Sequence, residues 1–222
     1  MATPTNIVDL RRMLAERFPA AHVGRPARET AVWPTGVPGF DDLLRGLPKG
    51  EVTELVGEGW GSGSAQVLHA LVSRTAADGR FLALVDGADS FDVDGADVSA
   101  LTRLLWVRCR TTDEALKATD LLLRDRNVPL VVLDLKLNPM AQLKKIPSSV
   151  WHRYGRIAEH NGTTLLVVTP FPLVSSTALR VEVRAELEVG ELESGPEAAL
   201  AKVRIRVMRA AEETGDTQAA AG

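Results

Sequence analysis

Hydrophobic positions along the chain alternate between a strand rhythm and a helix rhythm. Residues 6–18, NIVDLRRMLAERF, place Ile7, Leu10, Met13 or Leu14, and Phe18 at helical spacing. Pro19, Pro26, Pro34, Pro38 and two glycines then make 19–38 read as a linker or extended arm. Such an arm either folds back on its own core or docks on another molecule. From Gly36 the pattern tightens. A short helix (Gly39–Arg45) leads into a strand, Glu51–Val56, which ends in a glycine turn. SAQVLHALVSRTAADG follows as a helix, with Val67, Leu68, Leu71 and Val72 on one face. RFLALVDG, VPLVVLDL and TTLLVVTP are apolar runs of strand length, the mark of strands buried on both faces. LTRLLWVRC reads as another strand. Thr111 and Glu114 have the spacing of a capping box ahead of helix 112–126. Pro147 and Ser148 open a helix over 149–160. ALRVEVRAELEV and AKVRIRVMRA alternate apolar and polar residues and close the domain as an antiparallel pair with one wet face.

Strands alternating with helices predict an α/β fold, a mainly parallel sheet flanked by helices with a C-terminal antiparallel strand pair. The division predicted is a helix and linker over 1–34, a core over 35–209 and a disordered tail over 210–222. There is no internal repeat.

Composition narrows the chemistry. The 222 residues carry 26 Lys and Arg against 29 Asp and Glu, a net charge of -3, which argues against a globally basic nucleic-acid binder. One cysteine, Cys109, leaves no intrachain disulfide framework and no Cys-rich zinc site. Four scattered histidines argue against a metal cluster. No apolar stretch reaches 18 residues, so no membrane span is expected, and the location expected is the cytoplasm.

The strand–loop–helix over 51–75 is where phosphate chemistry would sit. A phosphate-binding loop has a glycine, four free positions, then Gly-Lys-Ser/Thr; its amides cradle phosphate, its lysine reaches the terminal phosphates and its hydroxyl holds magnesium. Here Gly57, Gly59, Gly61, Ser62, Gly63 and Ser64 keep the first glycine and the last hydroxyl. Ser62 replaces the second glycine and Gly63 stands where the lysine belongs. Glu58 adds negative charge. The loop keeps amides and a helix dipole but no fixed cation, so it reads as a vestige serving the strand-to-helix turn, with no cofactor expected.

These residues resemble the RecA family over about 35–209. TGVPGFDDLLRGLPKGEVTELVG resembles the family's approach to its nucleotide loop. LVDGADSFD resembles the segment bearing the family's water-activating glutamate; the matching position is Ala88, with Asp86 and Asp92 beside it and Asp89 one residue on. VVLDL resembles the magnesium-associated strand end, and Asp134 keeps its carboxylate. TTLLVVTPF resembles the strand ending in the glutamine γ-phosphate sensor, where this chain has Thr169-Pro170. The resemblance thus implies a chain without the lysine, the glutamate or the sensor, and so not an enzyme.

The family's DNA loops are altered too. Only Pro170–Thr177 separates the last apolar strand from TALRVEV. The other loop position, Lys136–Pro147, holds Lys136, Lys144 and Lys145, which with Arg153 and Arg156 are the candidates for weak DNA contact. Among RecA-like chains of this kind, the approach pattern, LLWVR…EALKATD and LVVLDL resemble ImuA, an accessory factor of damage-induced (SOS) mutagenesis. That resemblance implies work with ImuB, an inactive Y-family polymerase relative, and indirectly with an error-prone replicative-type polymerase. By analogy with RecA assembly, a partner's strand and helix would dock on Leu105, Trp106, Val107, Leu116 and Leu123. Self-association through residues 7–18 is the alternative occupant. Three other readings stay open: a SulA-like division inhibitor, a modulator of RecA filaments, and an ATPase with an unusual loop.

Overall fold

A computed structural model describes residues 31–59, 61–185 and 196–210. The predicted helix 6–18 lies outside the described residues, as does the predicted tail 210–222 apart from Ala210, which ends the last strand. In chain order the elements are β1 (Val32–Trp33), α1 (Pro38–Leu44), β2 (Leu47–Pro48), β3 (Val52–Val56), α2 (Ser64–Ala77), β4 (Leu82–Asp86), α3 (Val98–Leu101) and β5 (Leu104–Arg108). Then come α4 (Thr112–Asp125), β6 (Leu130–Asp134), α5 (Met140–Leu143), α6 (Ser148–Asn161), β7 (Thr164–Thr169), β8 (Leu179–Ala185), α7 (Pro196–Ala201) and β9 (Val203–Ala210).

Seven strands form one sheet in the order β5-β4-β6-β7-β3-β8-β9. All neighbours are parallel except β8 and β9. This is the α/β architecture expected from the apolar runs. Their alternate residues feed two cores. Leu82, Leu84, Leu130, Val132, Leu166 and Val168 pack with α2 on one face. Ala83, Val85, Val131, Leu133, Leu165 and Val167 pack on the other face with Leu123, Trp151 and Tyr154 of α4 and α6. β8 buries Val181 and Val183 and turns Arg180, Glu182 and Arg184 to the opposite face, so the alternation there is real.

Local chemistry sets the element ends. Thr111 Oγ1 accepts from the Glu114 amide at 3.2 Å, and the Glu114 carboxylate accepts from the Arg110 amide at 2.9 Å. That is a capping box whose return bond lands one residue outside the N-cap. The stretch 31–38 departs from expectation: it is packed, not a linker. Val32 and Trp33 pair with Pro48 and Leu47. Trp33 is 9% exposed and its indole N–H donates to Thr164 Oγ1 at 3.1 Å, while Lys49 and Arg80 lie over its ring at 4.3 Å. Burial of one indole outweighs the proline signal, which spoke only of backbone.

Candidate functional site

The glycine loop leaves the carboxyl end of β3 and enters α2, the place where open α/β sheets bind ligands. The Gly57 amide donates to the Thr169 carbonyl at 2.9 Å, which ties the loop to β7. Gly59, Gly61 and Gly63 all have positive φ. Gly63 decides what the loop can carry. Its φ is 90°, and a Cβ placed on it would lie 2.9 Å from the Ala185 Cβ and 3.4 Å from Val203 Cγ2. The β8–β9 pair therefore fills the space into which a lysine would start, and the left-handed backbone disfavours any side chain there.

A lysine does reach the loop, from elsewhere. Lys136, two residues past β6, donates its Nζ to the Gly59 carbonyl at 2.9 Å. Burial holds this amine below the usual lysine range, against the pull of Asp134 and Glu58. The sequence groups Lys136 with candidates for weak DNA contact; the fold places it against the glycine loop. No spacing rule could have found this, because Gly59 and Lys136 are 77 residues apart.

Asp134 ends β6 beside it. Its carboxylate is 8% exposed and accepts from the Lys136 amide at 2.9 Å. Burial pushes it up to about 6, with Asp86 adding to the rise. Gly59, Gly61, Ser62, Gly63 and Ser64 line a cavity of about 210 Å³ with Asp134, Lys136, His69 and Asp92. His69 escaped the sequence reading because it sits among the core positions of α2; its ring meets Phe91 edge-on at 5.1 Å.

This set does not fit a magnesium nucleotide. The cavity is smaller than the roughly 300–1,000 Å³ of small-molecule sites. Its one lysine is spent on a loop carbonyl, and position 63 admits no second. Nor do the other positions match. Ala88 has no carboxylate. Asp86 is fully buried and accepts from the amides of Ser90 and Phe91, each at 2.8 Å, so it shapes the turn 87–91. Asp89 is held by Arg108, whose Nη2 donates to it at 2.8 Å, and it does not line the cavity. Thr169, at the sensor position, donates to Glu54 Oε1 at 3.0 Å.

Glu54 is a residue that sequence reasoning missed. It is fully buried on β3. It accepts from the amides of Leu173 and Val174, at 2.6 and 3.1 Å, and from Arg180. One carboxylate thus pins the shortened 170–178 connection to β3, β7 and β8. A glutamate inside a strand was its only sequence signal.

The DNA candidates do not converge. Lys144 and Lys145 are exposed just after α5, and Lys136 is in the loop. Arg153 and Arg156 line a hollow with Arg124 and Arg126 of the α4 end. The docking candidates divide as well. Leu123 is fully buried, a correction, since α6 covers that face of α4. Leu116 is half-buried, and its carbonyl accepts from Tyr154 Oη at 2.6 Å. Trp106 turns inward, its N–H 3.3 Å from Asp86 and its ring against Phe91. Val107 is half-buried and Leu105 is 44% exposed. Among the described residues β5 is an edge strand. The Cys109 amide donates to the Asp86 carbonyl, and the Leu82 amide to the Arg103 carbonyl. Strand geometry alternates, so Leu105 and Val107 also bond inward to β4, and Leu104, Trp106 and Arg108 present their amides to the open edge. Cys109 is buried, which raises its thiol above the usual range. No helix among the described residues is long and apolar enough to cross a membrane, and no group of three metal-ligating side chains occurs among them.

No protein-family model matches the chain. Curated RecA proteins do. RecA of Salinispora tropica is 26% identical over 221 aligned positions, covering 83% of this chain and 62% of that protein. RecA of Nocardia farcinica is 25% identical over 224 positions, covering 84% of this chain and 63% of that protein. RecA of Clavibacter michiganensis is 32% identical over 123 positions, 51% of this chain. The chain spans less than two thirds of the length of these RecA proteins. The parallel sheet, the strand–loop–helix at the carboxyl end of β3 and these similarities together support a distant RecA-like relationship.

Proposed function

We propose that this chain is a non-catalytic RecA-like accessory protein of the ImuA type, an adaptor in damage-induced translesion synthesis. One observation carries the non-catalytic part. Gly63, at the lysine position, is held at a φ of 90° under Ala185 and Val203, so the fold has closed the place from which the family's lysine acts. Ala88 and Thr169 stand at the other two altered positions and agree with it.

The adaptor part rests on β5. An edge strand with three outward amides and an exposed Leu105 is suited to receive an extended segment by strand addition. Leu105 is on the sheet face that α4 covers, and Leu121 of α4 is 68% exposed. The segment received is an N-terminal helix and strand of an ImuB-type inactive polymerase, through which the error-prone polymerase is recruited. The edge, not the glycine loop, is then the functional surface.

Calorimetry with magnesium-ATP and a pulldown with the ImuB-type partner test both parts. The expected result is no ATP binding below millimolar concentration, and retention of the partner by the wild type. Leu105→Asp with Leu121→Asp releases the partner with the thermal midpoint unchanged. Micromolar ATP binding, or a double variant that still holds the partner, overturns the proposal.

A further inference from the structure

The hollow between the C-terminal ends of α4 and α6 has a chemistry that neither the glycine loop nor the β5 edge uses. It has a volume of about 440 Å³. Arg124 and Arg126 enter it from α4, Arg153 and Arg156 from α6, with Ile157 on its wall. No carboxylate among the described residues lines it. Asp120, just outside, accepts a hydrogen bond from Arg124 Nε at 2.7 Å, and Arg153 Nε lies at ion-pair distance, 3.0 Å, from its other oxygen. Arg153 also lies over the Tyr154 ring at 5.6 Å. Arg124, held by Nε, keeps its two terminal nitrogens for another acceptor, and its fork is already oriented. Arg126 and Arg156 have no ion-pair partner among the described residues. Of the four guanidiniums, two share the Asp120 carboxylate and two have no ion pair among the described residues, in a protein whose net charge is -3.

We infer that this hollow is a binding site for a short acidic peptide segment of a partner protein, two or three of whose carboxylates enter the arginine forks. Extent favours a peptide over nucleic acid. Arg153 and Arg156 are one helical turn apart, about 4.5 Å along the axis, so the cationic track is short. Asp125 adjoins it in sequence and is exposed, and a duplex burying about 1,000 Å² or more would lie across that carboxylate. A short peptide needs only the local field. The inference stands apart from the adaptor reading, since it involves neither the β5 edge nor the identity of the polymerase.

Fluorescence anisotropy with a labelled hexaglutamate peptide on the full chain tests it. The wild type binds, and binding weakens as salt rises from about 50 to about 200 mM. Arg126→Ala with Arg156→Ala, two exposed and unpaired positions, weakens binding at least about ten-fold, with the circular-dichroism melt unchanged. Lys144→Ala with Lys145→Ala leaves binding within about two-fold. Failure of the wild type to bind overturns the inference, as does equal loss in the two double variants. A labelled oligothymidylate bound about ten-fold tighter than the peptide, and lost in the arginine variant, overturns it in favour of nucleic acid.

Discussion

Gly63→Lys would restore the residue that phosphate-binding loops use, and the structure says that it destabilises the protein without creating a nucleotide site. Two costs add. A non-glycine residue in the left-handed region costs about 1–2 kcal/mol. A Cβ 2.9 Å from the Ala185 Cβ meets a side chain with no rotamer to yield, so β8 must shift, an overpacking cost of about 1–3 kcal/mol. The sum, roughly 2–5 kcal/mol, is a large part of the roughly 5–15 kcal/mol available to a domain. Gly61 separates the terms: its φ is also positive, at 68°, but no described atom lies within 4 Å of a Cβ placed there. Gly61→Ala should cost the backbone term alone, and Gly63→Ala both terms. Urea unfolding of the two alanine variants gives the packing cost as their difference, about 1–3 kcal/mol. Calorimetry of Gly63→Lys with magnesium-ATP then shows no heat of binding. Equal losses for the two alanine variants, or a stable Gly63→Lys that binds ATP, would refute the reasoning.

Three further outcomes follow from buried groups. Burial pushes the Asp134 carboxyl up to about 6 in the folded chain, against about 3.9 for an unperturbed aspartate, so the folded state holds the proton more tightly and the ionised group costs stability as pH rises through that window. Asp134→Asn, which keeps the acceptor for the Lys136 amide, should gain at most about 3 kcal/mol near pH 8 and nothing near pH 3; urea midpoints at the two pH values check it. Glu54→Ala leaves Arg180 and two loop amides without their buried acceptor and should cost about 3–5 kcal/mol, with hydrogen exchange at Leu173 and Val174 accelerated. Leu123→Ala, at a fully buried position, should cost about 2–5 kcal/mol by the same denaturation assay.

The apolar runs around Leu84, Val132 and Val167 declared parallel strands buried on both faces, and their boundaries were legible to within a residue or two. Leu104–Arg108 was legible as a strand from its own pattern but as an edge only through the RecA resemblance, because strand order depends on crossovers that no local pattern encodes. The Thr111–Glu114 cap was legible because capping is a contact between near neighbours. Trp33 was not, since a proline-rich approach hides a residue whose value lies in Thr164, Lys49 and Arg80.

The candidate site divides along the same line. By itself the sequence determined an α/β chain with a glycine loop at the right strand–helix junction and without the family's lysine, since these depend on residue type and short-range order. Only the tertiary structure decided that Gly63 lies under the β8–β9 pair, that Lys136 comes 77 residues along the chain to bind the Gly59 carbonyl, and that Glu54 closes the 170–178 connection. Only it drew Arg153 and Arg156 away from Lys136 and joined them to Arg124 and Arg126. The physical reason is common to all four. Sterics at one φ and charges a few ångströms apart are settled by which strands become neighbours, and the parallel crossovers that bring those strands together span a dozen residues or more.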